Sequence, residues 1–298
     1  MSDRLAIATA DLWKRYDDVD ALSGLNLQVP AGSICGFLGR NGAGKTTTIK
    51  VLLGMARPTK GSAHVLGVAA DDATAAAAAR RRIGFVSDEK DLYDYMTVGE
   101  IIAFTRPFFP NWSTELERKY LSKFELTPHR EIKELSRGTR TKLALLLVLC
   151  RGAELLILDE PTAGLDPAMA EDVLQALVGH MAGEQMTIFF SSHQISEIDQ
   201  IADHVAIIDG GRLVVAGALD DIRDRYQRVQ LVFAGHAPQA DLRAPGIIRV
   251  QRLGRVLTIL TNDREAALAE ARALSPASID VAPVTLKEIF LESVRTEE

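Results

Sequence analysis

The segment that most constrains this chain is a glycine-rich loop between an apolar run and a helix-like run. In order it reads Gly39, Arg40, Asn41, Gly42, Ala43, Gly44, Lys45 and Thr46. This is the pattern of a phosphate-binding loop, in which glycines let successive backbone N–H groups face the β- and γ-phosphate oxygens. Residues 34–38 before the loop predict a buried strand, and residues 47–53 after it predict a helix whose N-terminal dipole favours an anion. We therefore expect a bound nucleoside triphosphate, with Lys45 supplying positive charge and Thr46 a hydroxyl for Mg²⁺.

A second motif follows the apolar run at residues 155–158. Asp159 and Glu160 come directly after it, and open α/β sheets bind their ligands at the carboxyl ends of their strands. We expect Asp159 to bind Mg²⁺ through water, opposite Thr46. Glu160 is expected to polarise the attacking water or accept its proton. The acidic pair therefore predicts a site that hydrolyses the nucleotide it binds.

Strand-like and helix-like runs alternate along most of the chain. The predicted strands are residues 7–13, 25–29, 34–38, 83–86, 155–158, 187–190, 205–208 and 213–216, and the predicted helices between them are residues 47–55, 73–82, 167–181 and 194–202. Several of these strands are continuously apolar, as strands buried on both faces are. The predicted class is α/β, a P-loop NTPase core with a mainly parallel sheet and an N-terminal antiparallel β part.

Changes of composition predict two domains. Residues 1–222 form the nucleotide-binding domain, and residues 88–152, which are charged, broken by prolines and without a convincing strand, form a helical subdomain inserted into it. Residues 223–298 form a small α+β accessory domain. Its predicted strands are residues 229–233 and 255–260, and its predicted helices are residues 264–274 and 285–294.

Charge and cysteine usage narrow the class further. The formal net charge of −6 and the lack of a basic stripe argue against a nucleic-acid partner. Both cysteines, Cys35 and Cys150, lie in apolar runs, which predicts buried reduced thiols in a cytosolic protein. Residues 1–6 lack the pattern of a signal peptide, and the longest apolar run, residues 143–150, is far shorter than the ~20 residues that span a bilayer. We expect a chain that works at a membrane only through a partner.

Five motifs, in this order and spacing, resemble those of an ABC transporter nucleotide-binding subunit. They are residues 39–47, the signature-like Leu-Ser-Arg-Gly-Thr at 135–139, Asp-Glu-Pro-Thr at 159–162, Gly-Leu-Asp at 164–166, and Ser-His at 192–193. The resemblance covers roughly residues 5–222. More weakly, residues 285–291 resemble the tail of ATPases that serve bacterial export and drug-resistance permeases.

The resemblance implies an ATPase that uses ATP and Mg²⁺, with Glu160, His193 and Lys45 as catalytic residues. His193 would sense the γ-phosphate and help to place the water. The residues implied to contact ATP are Tyr16 on the adenine ring, Gly39, Arg40, Asn41, Gly42, Ala43, Gly44, Lys45, Thr46 and Thr47 of the phosphate loop, and Ser136 and Gly138 of the signature segment. These last two would reach the γ-phosphate held by a second subunit, aided by a helix that begins near Thr141.

The same resemblance implies two partners. One is a second ATPase subunit, identical or different, towards which Asp166 would extend across the interface. The other is an integral membrane permease docked near residues 88–96, which include Tyr93 and Tyr95. The chain would then lie on the cytoplasmic face of the cell membrane and take part in export.

Two positions depart from the family pattern. Asp88 stands where the family normally has a glutamine, and we expect it to bind Mg²⁺ together with Thr46 and Asp159. Arg137 stands where a glycine is usual. Its guanidinium is either a group beside the partner's phosphate, where it offsets the charge of Asp88, or a solvated surface group.

Two alternative functions remain. One is a soluble ATP-dependent switch acting on nucleic acid or ribosomes, although such proteins usually carry two ATPase units and this chain has one phosphate loop. The other is a regulatory ATP-binding subunit that hydrolyses weakly, which Asp88 and the altered signature would allow. Retention of Glu160 and His193 counts against it.

Overall fold

The structure, a computed structural model, describes residues 4–181 and 186–294. The prediction that residues 1–6 form no signal peptide therefore lies in part, at residues 1–3, outside the described residues. The chain divides between Leu213 and Val214 into two compact units. Across the two described ranges, no helix is long and apolar enough to cross a membrane.

The first unit contains most of the helices and strands, numbered here in chain order. They are β1 (Leu5–Tyr16), β2 (Val19–Leu25), β3 (Gln28–Pro30), β4 (Ile34–Gly39), α1 (Lys45–Leu52), β5 (Lys60–Val65), β6 (Val68–Ala69), α2 (Ala73–Arg80), β7 (Ile83–Val86), α3 (Val98–Thr105), α4 (Thr114–Lys123), α5 (Arg137–Leu149), β8 (Leu155–Asp159), α6 (Pro167–Met181), β9 (Thr187–Ser192), α7 (Ile195–Ile201) and β10 (His204–Asp209), with short 3₁₀ turns at Arg106–Phe108 and Ile132–Glu134. Strand β11 (Arg212–Ala218) begins at the end of this unit.

The N-terminal sheet is antiparallel, as predicted. Strand β1 is at its centre and pairs antiparallel with β2, β3 and β5. The single strand predicted at residues 25–29 is wrong, because β2 ends at Leu25 and β3 starts at Gln28. Asn26 separates them: its side chain accepts a hydrogen bond from the Asp11 N–H at 2.9 Å and donates one to the Gly24 carbonyl at 3.0 Å. These side-chain bonds fix a turn where a continuous strand was expected.

The second sheet positions the site. It has six strands, and five of them, β10, β4, β9, β8 and β7, lie in that order and are all parallel. Every residue of β4, β8 and β9 is buried, which agrees with the apolar runs that these strands contain. Since parallel strands end at the same edge, the segments that follow β4, β8 and β9 lie side by side. The predicted fold class is confirmed.

The region predicted to be helical contains α3, α4 and α5, and within the described residues its only β feature is an isolated bridge between Thr97 and Glu131. Helix α5 begins at Arg137 rather than near Thr141 as expected. Ser136 caps it, because the Ser136 hydroxyl accepts a hydrogen bond from the Thr139 N–H at 3.2 Å. The polar start of the signature segment is thus the first turn of a helix whose later residues, 141–149, are buried.

The second unit contains a small antiparallel sheet and, within its described residues, three helices. Its elements are β12 (Gln227–Val232), β13 (Ile247–Leu253), β14 (Val256–Thr261), β15 (Ser278–Pro283), α8 (Leu219–Arg225), α9 (Arg264–Ala273) and α10 (Leu286–Ser293). The strand order is β13, β14, β12, β15, and buried residues of β12, β14 and α9 form its core. Strands β13 and β15 were not predicted, because these two edge strands have largely exposed residues and carry little apolar signal.

Candidate nucleotide site

The glycine-rich loop connects β4 to α1. Gly44 is the residue before the helix and has φ 109°. A Cβ at this position would lie 2.7 Å from the carbonyl oxygen of Ala21, so only glycine fits here. Lys45 opens α1 and is buried, with its Nζ donating to the Gly39 carbonyl at 2.8 Å. The loop therefore holds its lysine over its own backbone, at the N-terminus of a helix.

The acidic pair lies at the end of β8, with Asp159 as its last residue and Glu160 directly after it in a backbone conformation that is unusual for glutamate. Glu160 has φ 47°, in the left-handed region. Ser191 on β9 holds it there: the Ser191 hydroxyl donates to Asp159 Oδ1 at 2.6 Å and accepts from the Glu160 N–H at 3.0 Å. Ser191 and Asp159 are both buried. One serine on the neighbouring strand thus fixes both acidic residues, a role that the sequence analysis did not assign to it.

The Glu160 side chain contacts the other two residues predicted to be catalytic, Lys45 and His193. Lys45 Nζ lies 3.2 Å from Glu160 Oε1. On the other carboxylate oxygen, His193 Nδ1 lies 2.7 Å from Oε2, where its N–H can donate to the carboxylate. Glu160 is largely buried, whereas the His193 ring is about half exposed. The structure therefore brings Lys45, Glu160 and His193 together.

A second lysine contacts the same glutamate from its backbone side. Lys90 Nζ donates to the Glu160 carbonyl oxygen at 3.1 Å and lies 3.7 Å from Asp88 Oδ1. The Lys90 side chain is only 2% exposed. Burial lowers the pKa of Lys90, and the neighbouring carboxylate of Asp88 acts in the opposite direction. Sequence reasoning missed Lys90, since a lone lysine two residues after Asp88 carries no recognisable pattern.

Asp88 also pairs with the signature segment of its own chain. Arg137 Nη2 lies 3.2 Å from Asp88 Oδ1, and both side chains are about half exposed. The guanidinium lies against Gly164, where an added Cβ would overlap it. An ion pair this exposed contributes little to stability. It does place Arg137 beside Asp88 within one subunit.

The cleft over the phosphate loop, with a volume of about 470 Å³, collects most of the predicted residues. Its lining is Ala21, Arg40, Asn41, Gly42, Gly44, Lys45, Thr46, Thr47, Asp88, Glu160, Ala163 and His193. The predicted site residues that do not line it are Tyr16, Gly39, Ala43, Ser136, Gly138 and Asp159. Tyr16 stands at the exposed end of β1, with the Lys14 ammonium 4.6 Å from its ring centroid. The two signature residues lie at the start of α5.

The oxygen donors suit a magnesium ion that arrives with a nucleotide. Thr46 and Asp88 line the cleft, and Asp159 ends the strand beside it. Among the described residues, no group of three or more His, Cys, Asp or Glu side chains could hold a metal ion. Mg²⁺ commonly takes one or two protein carboxylates and completes its shell with phosphate oxygens and water. These residues fit that pattern.

The parallel sheet, the loop before α1 and the acidic pair after β8 together define a P-loop nucleotide-hydrolysing protein. Residues 22–163 match the model of the ABC transporter family. The bacitracin transport ATP-binding protein BcrA of Bacillus licheniformis is 37% identical over 74% of this chain and 72% of its own length. The Nod factor export ATP-binding protein I of Cupriavidus pinatubonensis is 30% identical over 94% of this chain and 87% of its own.

Among solved structures, an ATP-binding subunit of an ABC transporter superposes with a TM-score of 0.66 at 27% identity, over 74% of this chain and 92% of that chain. The chain belongs to the ATP-binding proteins of the ABC transporter family. It is accordingly an ATPase, and ATP is its nucleotide.

Proposed function

We propose that this chain is the ATP-hydrolysing subunit of an export system, which dimerises around ATP and Mg²⁺ and drives a separate membrane permease. The observation that carries the proposal is the contact of Glu160 with both Lys45 and His193 at the phosphate loop. Phosphoryl transfer to water needs positioning and charge neutralisation rather than covalent catalysis, and this arrangement supplies both.

In the proposed mechanism, Lys45 exchanges one anionic partner for another. Its ammonium group contacts Glu160 in the structure and would turn to the β- and γ-phosphates when ATP fills the loop. The Glu160 carboxylate, freed from Lys45, would accept a proton from the attacking water. His193 would keep the carboxylate oriented from its Oε2 side and face the γ-phosphate. Mg²⁺, held by Thr46, Asp159 and Asp88, would neutralise phosphate charge.

The placement of three further residues supports a composite site. Ser136 and Gly138 do not line the cleft of their own chain. They lie at the start of α5, where the helix N-terminus would suit an anion supplied by a second subunit's ATP. Tyr16, exposed at the end of β1, is available to stack on the adenine ring. ATP would then bridge two subunits, and hydrolysis would remove the bridge.

A permease partner is supported by an exposed aromatic patch, made of Tyr93, Tyr95, Phe104 and Phe108. The exposed fractions of these side chains run from 47% to 76%. Their rings form a contiguous row, with centroid distances of 5.7, 5.9 and 5.5 Å. Contiguous apolar surface of this kind marks an interaction site. We assign it to a permease on the cytoplasmic face of the membrane. We infer export because the Nod factor export ATP-binding protein aligns along almost the whole chain.

Co-purification tests the proposal. The tagged chain is recovered from detergent extracts of its source cells, in parallel with Tyr95→Asp and with Met55→Asp, which adds the same charge at an exposed apolar residue outside the patch. We expect an integral membrane protein to accompany the wild type and Met55→Asp, and to be lost from Tyr95→Asp. Recovery of ribosomes or nucleic acid instead of a membrane protein would favour a soluble switch and contradict the proposal.

A further inference from the structure

The ammonium group of Lys90 contacts the Glu160 backbone, and the proposed mechanism gives it no role. We propose that Lys90 is a positioning residue for hydrolysis, which fixes the Glu160 carboxylate by holding the Glu160 backbone carbonyl. The supporting contact is the 3.1 Å hydrogen bond from Lys90 Nζ to that oxygen. The inference rests on the proposed role of Glu160 as the base.

The backbone of Glu160 needs such support. A non-glycine residue at φ 47° is strained and persists only where its surroundings hold it. The Ser191 hydroxyl accepts from the Glu160 N–H at 3.0 Å. The Glu160 carbonyl accepts from Lys90 Nζ at 3.1 Å and from the Ala163 N–H at 3.1 Å, so Lys90 adds a charged side-chain donor to a backbone turn. The peptide groups on both sides of the Glu160 Cα are therefore each tied by a buried side chain. With both fixed, the direction in which the carboxylate leaves the backbone is fixed too.

The contacts of the carboxylate itself do not replace this support. Lys45 and His193 hold its two oxygens in the structure, but Lys45 must turn to the phosphates when ATP binds. Neither Ser191 nor Lys90 lines the cleft over the phosphate loop. Their bonds to the Glu160 backbone can therefore persist through the catalytic cycle. Lys90 keeps Glu160 aimed at the water after Lys45 has left it.

Burial makes the partners of the Lys90 ammonium group necessary. The Lys90 side chain is 2% exposed, and its Nζ meets Asp88 Oδ1 at 3.7 Å on the other side. A buried ammonium group requires anionic and carbonyl partners to offset its lost hydration. Asp88 supplies the charge and Glu160 the hydrogen-bond acceptor. The lysine thus links the segment that carries Asp88 to the acidic pair after β8.

The test is Lys90→Met, an unbranched replacement that keeps most of the side-chain volume but removes the donor. We expect kcat to fall about tenfold, the loss of one charge-assisted hydrogen bond, with the KM for ATP and the Kd of a fluorescent ATP analogue changed less than about twofold. Lys90→Arg should recover part of kcat, because its guanidinium can donate to the same carbonyl. Lys142→Met is the matched control, since Lys142 is also a mostly buried lysine that pairs with an aspartate, Asp172, at 2.8 Å. It should keep the wild-type kcat.

A double-mutant cycle with Glu160→Ala separates positioning from general damage. If Lys90 acts through the Glu160 side chain, Lys90→Met should lower the residual turnover of Glu160→Ala by less than about twofold. The same tenfold loss in both backgrounds would overturn the inference and assign Lys90 to the fold or to Asp88. A wild-type kcat in Lys90→Met would overturn it as well. In either case the proposed function stands as long as Glu160→Ala itself abolishes most of the wild-type turnover.

Discussion

Replacing Ser191 with alanine should damage both the stability of the first unit and its chemistry. The Ser191 hydroxyl is fully buried and makes two bonds, one to the carboxylate of Asp159 at 2.6 Å and one from the Glu160 N–H at 3.0 Å. Alanine fits the same space and removes both bonds. It leaves a buried carboxylate with one donor fewer and a backbone N–H that has lost its acceptor.

The magnitude follows from the two bonds. A short hydroxyl-to-carboxylate bond contributes about 2 kcal/mol, and an unsatisfied backbone N–H costs about 1 kcal/mol, which gives about 3 kcal/mol in total. For a unit of this size, each kcal/mol lowers the melting temperature by roughly 2–4 °C, so we expect a decrease of roughly 6–12 °C. Release of Asp159 and Glu160 should also lower kcat by at least about tenfold at a temperature where the variant is folded.

Thermal unfolding followed by circular dichroism measures the first effect, and steady-state ATP hydrolysis measures the second. Thr187→Val is the matched control. Thr187 is buried at the opposite end of the same strand and accepts a hydrogen bond from the Gly32 N–H at 2.9 Å, away from the acidic pair. It should lose stability but keep kcat. If Ser191→Ala melts within about 2 °C of the wild type and retains kcat, the idea that Ser191 holds the acidic pair is wrong.

Two further predictions concern the adenine-binding site and the cysteine thiols. Tyr16→Ala should weaken ATP binding roughly tenfold, the value of one stacked base. Tyr95→Ala, which removes a more exposed ring in the aromatic patch, should leave the affinity measured with a fluorescent ATP analogue unchanged, and equal effects would remove Tyr16 from the adenine site. Burial raises the pKa of the Cys150 thiol to about 12 and raises that of Cys35 as well, so neither thiol should react with Ellman's reagent at pH 8 in the folded protein, and both should react in guanidinium chloride. Rapid labelling of either thiol in the native state would contradict the burial.

The parts of the site that sequence reasoning reached are those that short motifs specify. The phosphate loop, the acidic pair after β8 and His193 after β9 each follow a buried strand, and parallel strands necessarily bring such segments to one edge. Ser191 and Lys90 could not be found this way. Each acts on Glu160 across the sheet edge, from 31 and 70 residues away in sequence, through contacts that only the folded chain creates.

The strands and helices likewise divide into those that the sequence predicts and those that it does not. Buried central strands such as β4, β8 and β9 contain continuous apolar runs and were predictable. The edge strands β13 and β15 alternate weakly and carry charge, so that their pairing comes from the neighbouring strands rather than from their own sequence. The start of α5 was placed four residues too late because a polar first turn has no apolar periodicity, and only the cap at Ser136 marks it.

Hydrolysis in the proposed mechanism depends most on Glu160 as the general base, and Glu160→Gln tests this role directly. The amide keeps the shape of the side chain but cannot accept the proton, so ATP hydrolysis should fall by about 100-fold or more. The ATP-bound dimer should then persist, and size-exclusion chromatography with light scattering in Mg²⁺ and ATP should detect a species of twice the 32.4 kDa chain mass. A variant that hydrolyses ATP at the wild-type rate, or that remains a monomer with ATP bound, would contradict the account.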